Sequence, residues 1–215
     1  MQILTDNISF PPVDTADENG FLAIGGDLSV GRLLEAYRHG VFPWYNDDDP
    51  ICWWSPDPRF VLFPNQLHIS DSMKQFFRKK AISYTFNKAF EKVIRSCSTV
   101  KRKDTDGTWI NEDMIAAYIN LHDLGHAFSA EAWQNDELVG GLYGVKMGRL
   151  FFGESMFSTV TNASKFAFIK LVQQLKEEGV EMIDCQMYTT HLESLGAVMI
   201  SRDKFIELLK ANIDN

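Results

Sequence analysis

The feature that most constrains the fold is a run of three strand-like segments joined by very short connections. These segments are Ala127–Trp133, Glu137–Val145 and Leu150–Phe157, and the residues between them are Gln134–Asp136 and Lys146–Gly148. Parallel strands need a crossover of a dozen or more residues, so connections this short join antiparallel neighbours. The sequence therefore predicts three adjacent antiparallel strands.

Helical and strand patterns on both sides of this meander enlarge the sheet and cover it. The helices are predicted to start at Ser70, after Asn87, at Asn111, at Asn162 and at Arg202. Further strands are predicted at Tyr84–Phe86, Met182–Gln186 and Val198–Ile200, with a helical turn at Leu192–Leu195. This order indicates an α+β fold with a mixed α/β sheet.

The first part of the chain has a different character. From Met1 to about Phe63 it is dense in Gly, Pro and aromatic residues, and it carries one helix that begins after Ser29 and ends at Gly40. We therefore predict a small loop-rich N-terminal domain over residues 1–62 and a larger domain over residues 63–215.

Composition excludes several classes of protein. No stretch approaches the roughly 18 consecutive apolar residues of a membrane-spanning helix, and Met1–Pro12 lacks a basic region followed by an apolar one. The three cysteines are widely spaced, which suggests neither a disulfide scaffold nor a zinc site. We expect a soluble protein of the reducing cytoplasm, and with a net charge of -8 any nucleic-acid contact must be local.

Asp184, Cys185 and Gln186 end an apolar strand and form the most informative polar group. Strand alternation sends Asp184 and Gln186 to one face and Cys185 to the other. The carboxylate and amide are suited either to positioning a nucleophile or to hydrogen bonding at a sheet edge. Cys185 is either a nucleophile with His191 as its base or a buried structural thiol.

Glu154 stands almost alone in the apolar and aromatic strand Leu150–Phe157. A carboxylate buried without a partner is costly, so Glu154 either recognises a ligand or faces water at the strand edge. The segment Trp53–Arg59 combines two indole rings with a stiff turn. It is suited either to stacking on a base or to packing between two domains.

Two basic clusters are candidates for contacts with phosphate groups. They consist of Arg78, Lys79 and Lys80, and of Lys101, Arg102 and Lys103. Most such runs are solvated helix ends. On an acidic protein, two clusters flanking a tryptophan-rich region would nevertheless suffice for a few phosphate contacts.

Seven short motifs, taken in order, carry a resemblance to a known family. They are Gly25–Ser29, Gly40–Trp44, Trp53–Arg59, Gly107–Ile110, Gly153–Phe157, Asn162–Lys165 and Asp184–Gln186. Together they resemble the bacterial leucyl/phenylalanyl-tRNA-protein transferases from about Asn19 to Ala197.

The resemblance implies an enzyme that moves Leu or Phe from leucyl-tRNA or phenylalanyl-tRNA to proteins with N-terminal Arg or Lys, marking them for N-degron degradation. It also implies a small N-terminal domain beside an acetyltransferase-like (GNAT) domain. We expect a cytoplasmic monomer that needs no metal and no cofactor.

The resemblance also assigns site residues. It implies that Trp53 and Trp109 hold the terminal adenosine, and that the donor's side chain lies among Phe151, Met156, Phe168 and Ile183. Asp184 and Gln186 match the proposed catalytic pair, in which Gln186 positions the attacking amine. Glu154 is expected to recognise the positive charge of the acceptor's first residue. The two basic clusters are expected to bind tRNA.

Two other functions stay open at this point. One is a CoA-dependent N-acyltransferase, which is disfavoured because the segment Ser158–Lys165 has no glycine for a pyrophosphate loop. The other is a non-catalytic module that binds tRNA or a peptide.

Overall fold

A small sheet forms the first part of the molecule. The computed structural model describes residues 2–100 and 109–214. Strands β1 (Gln2–Leu4), β2 (Phe21–Gly25), β3 (Phe42–Pro43) and β4 (Cys52–Trp54) are arranged in the order β1-β2-β4-β3. Strands β1 and β2 are parallel, whereas β4 is antiparallel to both of its neighbours.

Helix α1 (Val30–Arg38) connects β2 to β3 and has the predicted ends. The Ser29 side chain accepts a hydrogen bond from the Arg32 N–H, and Gly40 follows the helix with a φ of +71°. A side chain at Gly40 would collide with Phe205 and Ile206, so this turn requires glycine both for its φ and for space.

The larger sheet has seven strands in the order β11-β5-β10-β9-β8-β7-β6. Their bounds are β5 Arg59–Leu62, β6 Ser83–Phe86, β7 Ala127–Gln134, β8 Glu137–Met147, β9 Leu150–Ser158, β10 Met182–Gln186 and β11 Val198–Ile200. Only the β9–β10 pair is parallel among these described strands. The predicted antiparallel meander is confirmed as β7-β8-β9, and the mixed sheet confirms the predicted fold class.

In the described part of the chain, six further α-helices lie on or beside this sheet. They are α2 Asp71–Arg78, α3 Phe90–Ser98, α4 Glu112–Asp123, α5 Ala163–Glu177, α6 Thr190–Glu193 and α7 Arg202–Asn212. The predicted starts at Ser70 and Asn111 are confirmed, since both side chains accept a backbone N–H of the first turn. Within residues 2–100 and 109–214, no helix is both long and apolar enough to cross a membrane.

Two apolar cores lie on opposite faces of the large sheet because side chains alternate along each strand. On β9, Phe152 belongs to the core that includes Tyr118 of α4 and Phe90 of α3. Its neighbour Phe151 belongs to the core that includes Phe168 of α5. Helices therefore cover both faces of the sheet.

The N-terminal sheet was not expected from the sequence, which indicated loops around one helix. Its strands are two to five residues long, too short to show a clear period. Strand β5 (Arg59–Leu62) pairs with β10 and β11 in the large sheet. The division at residues 62 and 63 stays a prediction.

Candidate functional site

A cavity of about 570 Å³ opens where strands β9 and β10 separate. Their parallel pairing runs from Met182–Leu150 to Asp184–Phe152, after which β9 continues to Ser158 on its own. Aromatic side chains from Phe42, Trp44 and Trp109 line the cavity together with the apolar residues Leu142, Met156, Phe157, Phe168, Ile183 and Leu192. Its polar lining includes Glu154, Ser155, Ser164, Cys185, Gln186, Thr189 and His191.

A β-bulge at the end of β10 turns Gln186 into this cavity. Ile183 and Cys185 line the cavity by ordinary alternation, whereas Asp184 is not among its lining residues. The register shifts between Asp184 and Gln186, and Gln186 has a φ of +61°. The prediction that Asp184 and Gln186 share a face is therefore wrong, because the bulge breaks the alternation on which it relied.

Asp184 forms a buried ion pair with Arg59 of β5. Arg59 Nε and Nη2 donate to Asp184 Oδ1 and Oδ2 at 2.9 and 2.7 Å, and both residues are 1% exposed. The guanidinium also lies against the rings of Phe42 and Phe205. Sequence reasoning missed this pair, although a carboxylate at the end of an apolar strand signals a charged partner.

The Asp184 carboxylate also determines the conformation of Gln186. Its Oδ1 accepts the backbone N–H of Gln186 at 2.9 Å, which holds that residue in its positive-φ conformation. Asp184 thus acts on Gln186 through the main chain and not through the side-chain amide. The geometry makes Asp184 a positioning residue.

Glu154 is the centre of a polar cluster on the cavity wall. Its carboxyl contacts the hydroxyls of Tyr37 and Tyr118 at 2.7 and 3.0 Å and accepts the Nε2–H of Gln186 at 3.0 Å. Burial, reinforced by the charge of Asp184, raises the pKa of Glu154 to about 7, although the hydrogen bonds oppose this shift. Glu154 is therefore part of the cavity and not of a solvated strand edge.

Tyr37 and Tyr118 are not among the site residues predicted from the sequence. Both phenols are fully removed from solvent, and their oxygens are 2.5 Å apart. A buried tyrosine hydroxyl requires a polar partner. The lone carboxyl in an otherwise apolar strand was the signal that could have identified this partner.

Four of the six predicted donor-binding residues line the cavity: Trp109, Met156, Phe168 and Ile183. The other two do not. Phe151 is 1% exposed and packs in the core beneath α5. Phe151 lies in the same core as Met156, Phe168 and Ile183, but it is not among the residues that line the cavity.

The role predicted for Trp53 is also corrected. This side chain is 0% exposed, donates its indole N–H to the Gly25 carbonyl and packs against the ring of Phe10. No face of the indole is available for an adenine ring. Trp44, which follows β3 and was not assigned in the sequence, lines the cavity together with Trp109.

The remaining candidates lie outside the centre of the site. Arg78, Lys79 and Lys80 are exposed at the C-terminal end of α2. Lys101, Arg102 and Lys103 lie outside the described residues, so their assignment stays a prediction. Burial raises the pKa of Cys185, which opposes a nucleophilic thiolate.

Metal ligation has no candidate cluster in the described part of the chain. No three His, Cys, Asp or Glu side chains of residues 2–100 and 109–214 come together in a way that could hold an ion.

Comparisons with known proteins identify close relatives. The family model described as leucyl/phenylalanyl-tRNA protein transferase matches residues 61–210, and the model of its N-terminal domain matches residues 26–57. Proteins named leucyl/phenylalanyl-tRNA–protein transferase are similar over nearly the whole chain. The one from Pseudomonas fluorescens (strain Pf0-1) is 55% identical, covering 97% of this chain and 93% of the relative. That from Flavobacterium johnsoniae is 53% identical, covering 98% and 100%.

Solved structures give only distant similarity. The structure of L-PGS from Bacillus licheniformis is 14% identical, covers 88% of this chain and 65% of that one, and has a TM-score of 0.44. A GCN5-related N-acetyltransferase from Kribbella flavida is 9% identical, covers 80% and 61%, and has a TM-score of 0.41.

Proposed function

The chain belongs to the leucyl/phenylalanyl-tRNA protein transferase family, and we propose that it transfers leucine or phenylalanine from a charged tRNA to proteins that begin with arginine or lysine. One observation carries the residue assignments. The cavity combines two tryptophans, an apolar wall and a polar end formed by Glu154 and Gln186. A donor with an adenosine and an apolar side chain needs such surfaces beside the reacting ester.

The donor occupies the aromatic and apolar parts of the cavity. Trp44 and Trp109 offer rings for the terminal adenosine, because base–aromatic stacking requires an exposed ring face. Leu142, Met156, Phe168 and Ile183 surround the leucine or phenylalanine side chain. Burial of this side chain in an apolar pocket supports binding and selects against polar amino acids.

Gln186 positions the acceptor's amine for attack. Since its Nε2 donates to Glu154, its Oε1 is the end of the amide that accepts an N–H from the incoming amine. An amide is not a strong base, but the acceptor's α-amino group has an ordinary pKa of about 7.7 to 8.0. A neutral fraction is therefore present at pH 7, and positioning is the main requirement.

The donor ester is already activated, so the transfer needs no ATP. The amine nitrogen forms a bond to the ester carbonyl carbon, and the bond from that carbon to the tRNA 3′-oxygen breaks. The amine loses a proton, and the leaving oxygen takes one from its neighbouring 2′-hydroxyl or from water. Asp184 contributes by holding Gln186 in place through its backbone N–H.

Glu154 recognises the positively charged side chain of the acceptor's first residue. A partly desolvated carboxylate that pairs with guanidinium or ammonium discriminates against neutral residues. The exposed Arg78, Lys79 and Lys80 provide phosphate contacts outside the cavity, and Lys101, Arg102 and Lys103 remain proposed for the same role. The monomeric state, the cytoplasmic location and the N-degron outcome stay predictions from the resemblance.

Transfer of labelled leucine from leucyl-tRNA to a peptide that begins with arginine tests the proposal. We expect transfer to arginine- and lysine-initiated peptides and little to the alanine-initiated peptide of otherwise identical sequence. Acetyl-CoA offered as the donor in a parallel assay should give no acetylated peptide. Absence of transfer from tRNA, or equal transfer to all three peptides, would contradict the proposed function.

A further inference from the structure

Three oxygen-bearing side chains form a closed triangle behind the cavity wall, and one of them, Glu154, lines the cavity. Tyr37 Oη lies 2.5 Å from Tyr118 Oη and 2.7 Å from Glu154 Oε1. Tyr118 Oη lies 3.0 Å from Glu154 Oε2, which closes the triangle. All three contacts are within hydrogen-bond distance, and the shortest joins the two phenols.

The number of protons decides the charge of this triangle. Three hydrogen bonds require three protons, and each phenol supplies one. Burial raises the pKa of both tyrosines well above the ordinary value, so both keep their protons at neutral pH. If Glu154 were ionised, two protons would have to serve three contacts, and one pair of oxygens within hydrogen-bond distance would face each other without a proton.

A proton on Glu154 Oε2 completes a ring in which each hydrogen bond has a donor. With that proton, Glu154 Oε2–H would donate to Tyr118, Tyr118 would donate to Tyr37, and Tyr37 would donate to Glu154 Oε1. In this arrangement Oε1 is the carbonyl oxygen, which also accepts the Nε2–H of Gln186. The hydrogen bond from Gln186 to Glu154 therefore fits the same arrangement of protons.

Glu131 provides an internal contrast, because it is a buried glutamate of the same sheet. The hydroxyls of Thr85 and Ser129 and the backbone N–H groups of Lys88 and Ala89 all contact its carboxylate. Each of these four groups brings its own proton. The donors around Glu131 therefore supply one proton for each contact, whereas the two phenols supply two protons for the three contacts of the triangle at Glu154.

The charged groups around Glu154 also favour a neutral acid. Helices α1 and α4 present the phenols Tyr37 and Tyr118, and β8 presents Tyr143 beside Tyr118. From β10 comes the carboxylate of Asp184, whose charge is already paired with Arg59 of β5. No lysine or arginine among residues 2–100 and 109–214 lies within 4.0 Å of the Glu154 carboxyl.

We propose that Glu154 is a neutral carboxylic acid in the free enzyme, closed into a ring by Tyr37 and Tyr118, and that it ionises when the acceptor's cation binds. This inference deepens the proposed function and rests on its assignment of Glu154 to the acceptor. The Oε2–H bond breaks on binding, the proton passes to solvent, and the acceptor's cation takes its place beside the carboxylate. Acceptor binding therefore releases a proton, and Tyr37 and Tyr118 are positioning residues.

Infrared spectroscopy of the free protein tests the first half directly. At pH 6 ordinary carboxyls with a pKa near 4 are ionised, so a protonated-carboxyl C=O band identifies an exception. We expect this band at pH 6 but not at pH 8.5, and its loss in Glu154→Gln but not in Glu137→Gln, an exposed control. Tyr118→Phe should shift the band because Oε2–H loses its partner, whereas Tyr84→Phe should leave it in place. A wild-type spectrum at pH 6 without a band that depends on Glu154 would overturn the proposal.

Calorimetry in two buffers of different ionisation enthalpy tests the second half. An arginine-initiated peptide is titrated into protein saturated with an aminoacyl-adenosine analogue whose ester is replaced by an amide. A group with a pKa of about 7 is roughly three-quarters protonated at pH 6.5, so about that fraction of a proton should be released there and almost none at pH 8.5. Glu154→Gln should abolish the difference between the two pH values.

The possible results separate this inference from the proposed function. Peptide binding with no proton release at pH 6.5 would contradict the inference alone. Transfer activity with normal Arg-over-Ala preference in Glu154→Gln would remove Glu154 from acceptor recognition and contradict the linkage. Failure of wild-type protein to bind the peptide or transfer leucine would contradict the proposed function itself.

Discussion

Asp184 binds the guanidinium of Arg59 through two hydrogen bonds, and the same carboxylate accepts the backbone N–H of Gln186, whose side chain lines the cavity. One buried carboxylate thus joins β5 to β10 and maintains the bulge that turns Gln186 toward Glu154. We therefore expect the stability of the fold and the proposed alignment of the acceptor's amine to depend on the same carboxylate.

Asp184→Asn should therefore affect stability and turnover together. The variant leaves the Arg59 guanidinium buried and uncompensated, which costs about 3 to 5 kcal/mol of unfolding free energy. The Gln186 N–H also loses a charged acceptor, so we expect kcat to fall about tenfold or more while the KM for the donor changes little. Urea unfolding and steady-state transfer kinetics measure the two effects. The exposed Asp71→Asn serves as the control, and unchanged stability in Asp184→Asn would contradict the assignment of the ion pair.

Gln186→Ala should lower turnover without weakening donor binding. The variant lacks the amide oxygen proposed to orient the amine, whereas Trp44, Trp109 and the apolar wall remain. Positioning and proton-transfer contributions of this kind are worth roughly a hundredfold in kcat, and we expect an effect of about that size. Gln173→Ala, at an exposed position of α5, is the matched control. A normal kcat in Gln186→Ala would assign the side chain to structure alone.

The helices and the meander could be predicted because their signals are local. Ser29, Ser70 and Asn111 mark helix starts through contacts within four residues, and they have the predicted role in the structure. The site depends on contacts between distant segments. Arg59 and Asp184 are 125 residues apart, and Tyr37 and Glu154 are 117 apart. Helical and strand periods extend over a few residues, so neither pair could be recognised from them.

The error at Gln186 has the same origin. Alternation is a property of regular strands, and a single bulge reverses the face of the residue that follows it. Trp53 was assigned to the adenosine from the resemblance, and the local sequence does not distinguish its indole from that of Trp44. Only the fold shows that one indole lines the cavity while the other donates to the Gly25 carbonyl in the core.

Trp44 and Trp53 should respond in opposite ways to replacement by alanine. Trp44→Ala removes a stacking surface, so binding of an aminoacyl-adenosine analogue should weaken by about 1 to 3 kcal/mol while stability changes little. Trp53→Ala empties a fully buried site and should cost about 3 to 5 kcal/mol of unfolding free energy. Fluorescence titration and urea unfolding of both variants check this assignment. Tight donor binding in Trp44→Ala, with weak binding in a folded Trp53→Ala, would restore the original sequence prediction.

Charge reversal of Arg78, Lys79 and Lys80 should weaken tRNA binding selectively. These side chains are exposed, so their replacement by glutamate should not disturb the core. The cluster makes three phosphate contacts at most. Without them, the affinity should depend less steeply on salt, and the slope of log affinity against log salt concentration should become shallower by about 2 to 3. The aminoacyl-adenosine analogue, which lacks the tRNA body, should bind as before. Reversal of Lys204 and Lys210 on α7 provides the control, and an equal loss of tRNA affinity there would exclude a specific role for the α2 cluster.

The stability of the protein should depend on pH through Glu154. Because burial raises the pKa of Glu154 from 4.5 to about 7, the folded state holds this proton more strongly than the unfolded state does. Its contribution to stability is fully present below pH 4.5 and is lost as the pH rises through about 7. Glu154→Gln cannot ionise, and its amide can donate to Tyr118 while accepting from Tyr37 as the neutral acid does.

Urea unfolding of the wild type and Glu154→Gln from pH 5 to pH 8.5 measures this effect. The two proteins should have similar stability near pH 5, and the variant should become the more stable as the pH rises. The rise in the pKa of Glu154 from 4.5 to about 7 corresponds to a difference of about 3 kcal/mol at pH 8.5. Glu137→Gln, at an exposed position of β8, should follow the wild type throughout. If Glu154→Gln instead loses stability relative to the wild type as the pH rises, the carboxylate is the favoured form in the folded protein, and the neutral ring with Tyr37 and Tyr118 is incorrect.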